Sequence, residues 1–493
     1  MEEYILAIDA GTTSSRAILF NKIGDIVGIA QQEFEQIYPH QGWVEHDPMT
    51  ILSTQIKVIQ RVVTKAAIAH GSIIAIGITN QRETTVLWDT ETGAPIYNAI
   101  VWQCRRTTEY CNSIKTLGYE EEVFEKTGLV IDPYFSASKI RWILDNVPDA
   151  QWLLEHNRLA CGTIDSWLLY NLTKEKTHAT DVTNASRTML FNIHSCEWDM
   201  SLCAMFGIPA SILPTVYPSG ADFGVLRKEI LGYEIPVTAM MGDQQAALFG
   251  QMCFSPGDVK MTYGTGGFIL ANIGPKPIAS ANRLLTTLAW QYGNETMYAQ
   301  EGAVFVAGAA IQWLRDNLGI IDNSAESELL ANDAHPDHGL IFVPSFTGLG
   351  APYWRPDIKG LIYGITRGTG KREIVRACLE GIAFSTKDVV DAIRKDTGIT
   401  LSSLRVDGGA SSNNFLMQFQ SDILNTRIER PLVFETTAAG VAYMAGLGAG
   451  FFTTRDEIRK LRKPDRIFTP SDDYEAHTQR YNEWRTIIGR LLE

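Results

Sequence analysis

No two cysteines in this sequence stand in a C-x-x-C pair, and their total is seven, an odd number. That argues against both a zinc site and a disulfide framework, and predicts reduced thiols in a cytosolic (cytoplasmic) protein. No apolar run reaches the roughly 18 residues that a membrane span needs. The longest weakly polar stretch, Ala438 to Phe452, is rich in Gly and Ala and reads as a tightly packed helix. Glu2 and Glu3 put acid where a signal peptide needs base, so the mature chain is expected to start here, with no integral membrane association. Basic runs interleaved with aromatics are missing as well. With 43 basic against 56 acidic side chains the net charge is −13, which repels phosphodiesters, and Lys460, Arg462 and Lys463 read only as a solvated helix end. No nucleic-acid partner is expected. His335 and His338 flank Pro336 in a loop with no third ligand nearby, so no metal is assigned there.

Familiar nucleotide and hydrolase motifs are also absent. Gly364 to Lys371 looks like a Walker A loop, but its glycine spacing is one residue too long and Arg372 stands where Ser or Thr should bind Mg²⁺. No strand-turn-helix carries G-x-G-x-x-G and no G-x-S-x-G elbow appears, which removes the simplest cases for a dehydrogenase or a serine hydrolase.

What is present is 493 residues, 45% hydrophobic and 20% charged. That is enough for two or three domains, because single cores stop growing at roughly 250–300 residues. Short apolar runs broken by small polar turns recur. Tyr4 to Ile8 enters Asp9 to Ser15 and leaves through Arg16 to Phe20; Ile73 to Ile78 enters Thr79 to Glu83 and leaves through Thr84 to Trp88; Val259 to Tyr263 enters Gly264 to Gly267 and leaves through Phe268 to Leu270. Each reads as a hairpin of buried strands. One such hairpin opens each half, which suggests a duplication and domains of 1–250 and 251–493. Helical spacing of apolar residues predicts helices over Ala303 to Leu318, Glu373 to Ile393, Asn414 to Leu424 and Tyr474 to Leu492, the last with Ser471 and Asp472 as capping candidates. Arg455 to Ser471 reads as a connection to that docked terminal helix. Mixed strands and helices give an α/β protein.

Several of these turns have the composition of ligand sites. Asp9-Ala10-Gly11-Thr12-Thr13-Ser14-Ser15 after a strand offers N–H and hydroxyl donors for a phosphate, a carboxylate to hold Mg²⁺ through water, and Arg16 for a terminal phosphate; it is also ordinary turn chemistry. Thr265, in the Gly264 to Gly267 turn, offers similar donors from the other half. Gly408 and Gly409, after Leu404 to Asp407, suit an anion or the sugar and base of a nucleotide, or a plain strand-to-helix turn. Asp243, at the end of Val237 to Gly242, is either a proton acceptor or a helix N-cap, and local sequence does not separate the two. Arg82 and Glu83 form either a site or a surface ion pair. Asp9, Arg82-Glu83 and Asp243 all follow candidate strands, where open α/β sheets gather ligands.

Taken together, Asp9 to Arg16, Gly42-Trp43-Val44-Glu45-His46-Asp47-Pro48, Asn80-Gln81-Arg82-Glu83-Thr84-Thr85, Trp102-Gln103-Cys104-Arg105-Arg106 and Gly242-Asp243-Gln244-Gln245 resemble the FGGY carbohydrate kinases, in particular those that act on glycerol. Tyr263 to Gly266, Ile311 to Asp316, Gly348 to Trp354 and Asp407 to Ala410 extend the resemblance over nearly the whole chain. It implies two actin-like ATPase (ribonuclease H-like) domains flanking a catalytic cleft, and transfer of the ATP γ-phosphoryl group to glycerol, giving sn-glycerol 3-phosphate and ADP. By motif it implies Arg82, Glu83, Trp102, Tyr134, Asp243 and Gln244 around glycerol, with Asp243 as general base. Thr12, Thr13, Ser14, Arg16, Thr265, Gly308, Gln312, Gly409 and Asn413 would hold ATP, with Mg²⁺ near Asp9. Gly308 and Gln312, four apart on one helix face, also fit a packing role. A homo-oligomer, dimer or tetramer, is implied by the same resemblance.

Two departures concern regulation. Leu231 to Pro236 lacks the Gly-Gly-Thr-Arg loop that binds fructose 1,6-bisphosphate in enterobacterial relatives, and Leu226 to Ile230 lacks the histidine phosphorylated in some Gram-positive ones, so neither control is expected. The rival readings are an FGGY kinase for a ketose or larger polyol, and an actin-like ATP-driven module without a second substrate.

Overall fold

β1 (Tyr4–Ala10) is buried along its whole length, which explains its unbroken apolar run around Asp9. The Gly11 N–H donates to the Ser14 carbonyl at 3.0 Å and turns the chain into antiparallel β2 (Ser14–Phe20), followed by β3 (Ile26–Glu33). The computed structural model describes residues 2–355, 357–471 and 474–493; Asp472, the second capping candidate, lies outside the described residues. α1 (Pro48–Ala66) starts on Asp47, whose carboxylate accepts from the N–H groups of Met49 and Thr50. β4 (Ile73–Asn80) then pairs parallel with β1.

The hairpin expected between Ile73 to Ile78 and Thr84 to Trp88 does not form. Both edges of β4 are occupied, by β1 and by β6 (Ile235–Gly242), while β5 (Thr85–Asp89) belongs to a separate four-stranded sheet with Glu45–His46, Ala99–Ile100 and Leu159–Thr163. Glu83, at φ +60°, turns the chain out of the first sheet between them.

β6 leads directly into α2 (Asp243–Gly250). The second sheet begins with β7 (Val259–Tyr263) and β8 (Gly267–Gly274), an antiparallel hairpin as expected, and continues through β9 (Leu285–Tyr292) and β10 (Glu295–Val304). The helix expected from Ala303 starts later, as α3 (Gly308–Asp316), because Ala303 and Val304 are still paired with β8. α4 (Lys371–Thr397), β11 (Leu404–Asp407), α5 (Asn414–Leu424), β12 (Ile428–Pro431) and α6 (Thr436–Gly448) follow. The expected connection from Arg455 to Ser471 contributes a short helix and an edge strand, β13 (Pro464–Phe468), before α7 (Tyr474–Leu492).

The two sheets share one plan. The first runs Val225–Leu226, β6, β4, β1, β2, β3 and the second β9, β10, β8, β7, β11, β12, β13. In each, an antiparallel meander opening on β1 or β7 is extended by parallel strands, β4 and β6 or β11 and β12. Although α6 follows β12, it packs on the first sheet, where Ala438, Val441 and Ala445 share a core with Ile5, Ala7, Ala75 and Met241. Its crossing with α2 leaves no room for side chains. A Cβ on Gly440 would stand 1.8 Å from the Ala246 carbonyl oxygen, and one on Gly250 would stand 1.9 Å from that of Thr436.

Candidate active site

The carboxyl ends of β1, β4 and β6 bring together residues far apart in sequence. Arg82 follows β4 and Asp243 follows β6, and the parallel register that places Asn80 beside Gly242 sets the Arg82 Nε 3.2 Å from the Asp243 Oδ1. Gly242, not Asp243, is the helix N-cap, and a hydrogen bond from the Gly242 N–H to the Thr183 hydroxyl at 2.8 Å fixes the backbone there. The Asp243 side chain is 32% exposed, whereas Arg82 and Glu83 are 2% exposed. Asp243 thus faces a cleft while the two residues behind it are sealed. Its enclosing walls raise its pKa, and Arg82 and then Lys260 pull it back.

Arg82 is held on every side. Its Nη atoms donate to both carboxylate oxygens of Glu301 at 2.6 and 3.0 Å, to Gln245 Oε1 at 3.1 Å and to the Tyr134 hydroxyl at 3.4 Å. Arg187 donates to Glu83 at 2.6 Å and to Glu301 at 3.1 Å, which closes a buried network of two cations and two carboxylates. Burial opposes the charge on Glu301, yet Arg187 and Arg82 hold its pKa down at about 2. Trp102 stands edge-on to Tyr134 at 5.6 Å between ring centroids, with its Nε1–H donated to the Thr12 hydroxyl at 3.1 Å. One wall of indole and phenol therefore faces charged and amide groups, chemistry that suits a small molecule with both an apolar edge and hydroxyls. Gln244 belongs to the same cluster, its side-chain oxygen accepting from the Lys260 ammonium.

Thr12, Thr13 and Ser14 form the β1–β2 turn. Thr13 is exposed, Thr12 is half-buried against Trp102, and Ser14 is buried with its hydroxyl accepting from Gln31 at 3.1 Å. Arg16 bridges Asp9 at 3.0 Å and Glu435, at the start of α6, at 2.8 Å, and so ties the β1–β2 turn to that helix. Asp9 is buried and its pKa raised, by burial first, with Arg16 opposing. Its Oδ2 has this charge contact but no hydrogen bond, so one buried carboxylate oxygen is left for a cation.

On the opposite side, the exposed Thr265 turn is tied to the start of α3. The Gly308 N–H donates to the Gly264 carbonyl at 2.9 Å, and the Ala307 and Ala309 N–H groups donate to that of Thr265 at 2.9 and 3.0 Å. A Cβ on Gly308 would come within 2.6 Å of the Gly264 oxygen, so the close approach needs glycine. Gln312 is exposed one turn further along α3. Gly409 is exposed, with nothing within 4 Å of where a Cβ would point. The Asn413 side chain is committed elsewhere, accepting from the Leu416 N–H at 2.9 Å as the cap of α5 and donating to the Ser327 hydroxyl at 3.0 Å.

Glu301, Arg187, Gln245 and Lys260 escape the sequence reading. Lys260 carried a signal, a charge that interrupts the apolar Val259 to Tyr263, where only a paired group is tolerated; Arg187, in the polar stretch Thr183 to Thr188, carried none.

Against this geometry, the model of the FGGY family of carbohydrate kinases matches with its N-terminal domain over residues 4–250 and its C-terminal domain over 259–449. The chain belongs to this family. It is 54% identical over 493 residues to a glycerol kinase of Thermoanaerobacter pseudethanolicus, covering 100% of this chain and 99% of the relative. It is 53% identical over 490 residues to glycerol kinase 2 of Thermotoga maritima, covering 99% of each. Among solved structures, the Plasmodium falciparum glycerol kinase with ADP superimposes with a TM-score of 0.95 at 37% identity, over 100% of this chain and 99% of that one. A gluconate kinase from Lactobacillus acidophilus, at 21% identity and a TM-score of 0.90, shares the fold.

Proposed function

We propose that this protein is a glycerol kinase of glycerol catabolism. It transfers the γ-phosphoryl group of ATP to a terminal hydroxyl of glycerol and releases sn-glycerol 3-phosphate and ADP. The observation that carries the reading is the partly open carboxylate of Asp243, 3.2 Å from a sealed Arg82 and on the same cleft as Trp102 and Tyr134. An ATP-driven module without an acceptor has no use for this second pocket. The high identity to proteins named glycerol kinase favours a three-carbon acceptor over a ketose.

Arg82, Glu83, Tyr134 and Gln244 orient the acceptor against Trp102. Asp243 accepts the proton of the terminal hydroxyl as its oxygen attacks the γ-phosphorus in line, a contribution of roughly 10²–10⁴-fold. Phosphoryl transfer depends mainly on positioning and charge neutralisation. Thr12, Thr13, Ser14 and Arg16 on one side, with Thr265, Gly308, Gln312, Gly409 and the backbone near Asn413 on the other, hold the triphosphate and nucleoside. Asp9 would hold Mg²⁺ through its buried Oδ2, which has no hydrogen bond and whose charge contact with Arg16 at 3.0 Å would have to loosen as Arg16 turns to phosphate. When bound, the ion neutralises charge on the phosphate oxygens. Closure of residues 1–250 against 251–493 excludes water, which would otherwise hydrolyse ATP.

The reading includes a cytoplasmic enzyme acting as a homo-oligomer. Seven free cysteines, and no helix among the described residues long and apolar enough to cross a membrane, support the first. The family resemblance supports the second, which sedimentation measures directly.

The test is ADP release from MgATP with glycerol, xylulose, erythritol or no acceptor, for wild type and Asp243→Asn. Glycerol-dependent turnover that collapses in the variant while ATP still binds is expected. Equal turnover without acceptor defeats the kinase reading, and preference for a larger sugar removes glycerol while leaving the family.

A further inference from the structure

β7 turns Val259, Met261 and Tyr263 into the core of the second sheet, so Lys260 points the other way, towards α2 of the first half. It is fully buried. Its ammonium is held by neutral oxygens, donating to Gln244 Oε1 and to the Thr262 hydroxyl at 2.9 Å. The charged groups that face it are Asp407, Asp243, Arg82 and Glu301. Burying an ammonium against neutral acceptors costs stability that an apolar side chain at the same place would not. Its arrangement nevertheless does something no apolar residue does: it ties the strand leading into the Thr265 turn to the residue that follows Asp243.

We propose that Lys260 is a positioning residue for phosphoryl transfer, reaching from the nucleotide half to fix Gln244 and the first turn of α2, so that Asp243 is aimed at the acceptor hydroxyl when the Thr265 turn engages phosphate. An ammonium has three N–H groups, and its two hydrogen bonds leave one directed by the same anchor. The inference rests on the kinase reading, and its physical content is coupling between halves. Being fully buried, Lys260 acts through Gln244 and not by touching substrate, and the base is aligned only while the Lys260–Gln244 link holds.

The test uses the full chain with MgATP and whichever acceptor the wild type turns over fastest among glycerol, erythritol and xylulose. For Lys260→Met, kcat should fall about 100-fold while the ADP Kd stays within about threefold, with any rise in acceptor KM smaller than the fall in kcat because Gln244 also touches the acceptor. Lys260→Arg, which keeps the charge and donors, should recover about a tenth or more of the wild-type kcat. A Lys260→Met kcat within about threefold of wild type overturns the proposal. So does a loss shared equally by Lys260→Arg, or one that falls on KM or ADP binding with kcat unchanged. If Lys260→Met does not fold, Thr262→Val decides: it removes one anchor of the ammonium and should lower kcat several-fold at unchanged melting temperature, whereas unchanged kcat overturns the proposal. Wild-type turnover on the acceptor panel tests the kinase reading separately, since the Lys260 result is a ratio to wild type on a common acceptor.

Discussion

Arg82 and Glu301, 219 residues apart, meet as a bidentate buried pair at 2.6 and 3.0 Å, and join the end of β4 to the middle of β10 in the other sheet. The proposed acceptor pocket therefore draws on residues from both sheets. Removing one partner of such a pair leaves an uncompensated charge and costs about 3–5 kcal/mol. Glu301→Gln should lower the melting temperature and, by freeing Arg82 to shift, raise the glycerol KM about tenfold or more. Steady-state kinetics with a melting curve checks both, and an unchanged KM would show that Arg82 is held well enough without Glu301.

His46 predicts an acid-side loss of stability. It is buried, with Nε2–H donated to Gln36 Oε1 at 2.6 Å and Nδ1 accepting from Gln81 at 3.3 Å, so the neutral ring satisfies both contacts. Burial pushes its pKa down to about 4. Between that value and the unfolded value of about 6.5 the unfolded chain binds more protons, so stability falls as pH drops through this window, by at most about 3 kcal/mol. Urea unfolding at pH 7, 6, 5 and 4 should show the slope, and His46→Gln should flatten it relative to wild type. An identical pH dependence in the two proteins would assign the loss to other groups.

Glycines at the helix crossing and in the turn proposed to hold the nucleotide should behave oppositely. Gly440→Ala places a methyl group 1.8 Å from a backbone oxygen that cannot move aside without separating α2 from α6. A loss at or above the 1–3 kcal/mol or so of ordinary overpacking is expected, read as a melting temperature lowered by several degrees or as insoluble protein. At Gly409 the same methyl meets nothing within 4 Å. Gly409→Ala should therefore melt like wild type while raising the KM for ATP, and a wild-type KM would remove Gly409 from the nucleotide site.

Asn413 separates a cap from a ligand contact. Asn413→Ala loses the acceptor for the Leu416 N–H and should cost about 1 kcal/mol, while Asn413→Asp keeps that acceptor and should cost less. If only the backbone near Asn413 serves the nucleotide, neither change should move the ADP Kd more than about threefold after correction for unfolded protein. Calorimetric titration with ADP reads this directly.

By itself the sequence determined the local elements and the residues placed at strand ends. The apolar runs of β1 and β7 and the spans of α5 and α7 follow from short-range pattern and backbone sterics, which act between neighbours and are written in order along the chain. Asp9, Arg82 and Asp243 were legible for the same reason, each being a polar residue where an apolar run stops. Partnership was decided only by the tertiary structure. Whether Ile73 to Ile78 forms a hairpin depends on β1 and β6 reaching its edges first, and the choice of Asp243 between cap and cleft depends on Gly242 and Thr183. Glu301, Arg187 and Lys260 are isolated charges in buried runs until folding brings Arg82, Glu83 and Gln244 into contact with them. Burial then makes each pairing obligatory, because a charge removed from water is retained only beside the groups that replace it.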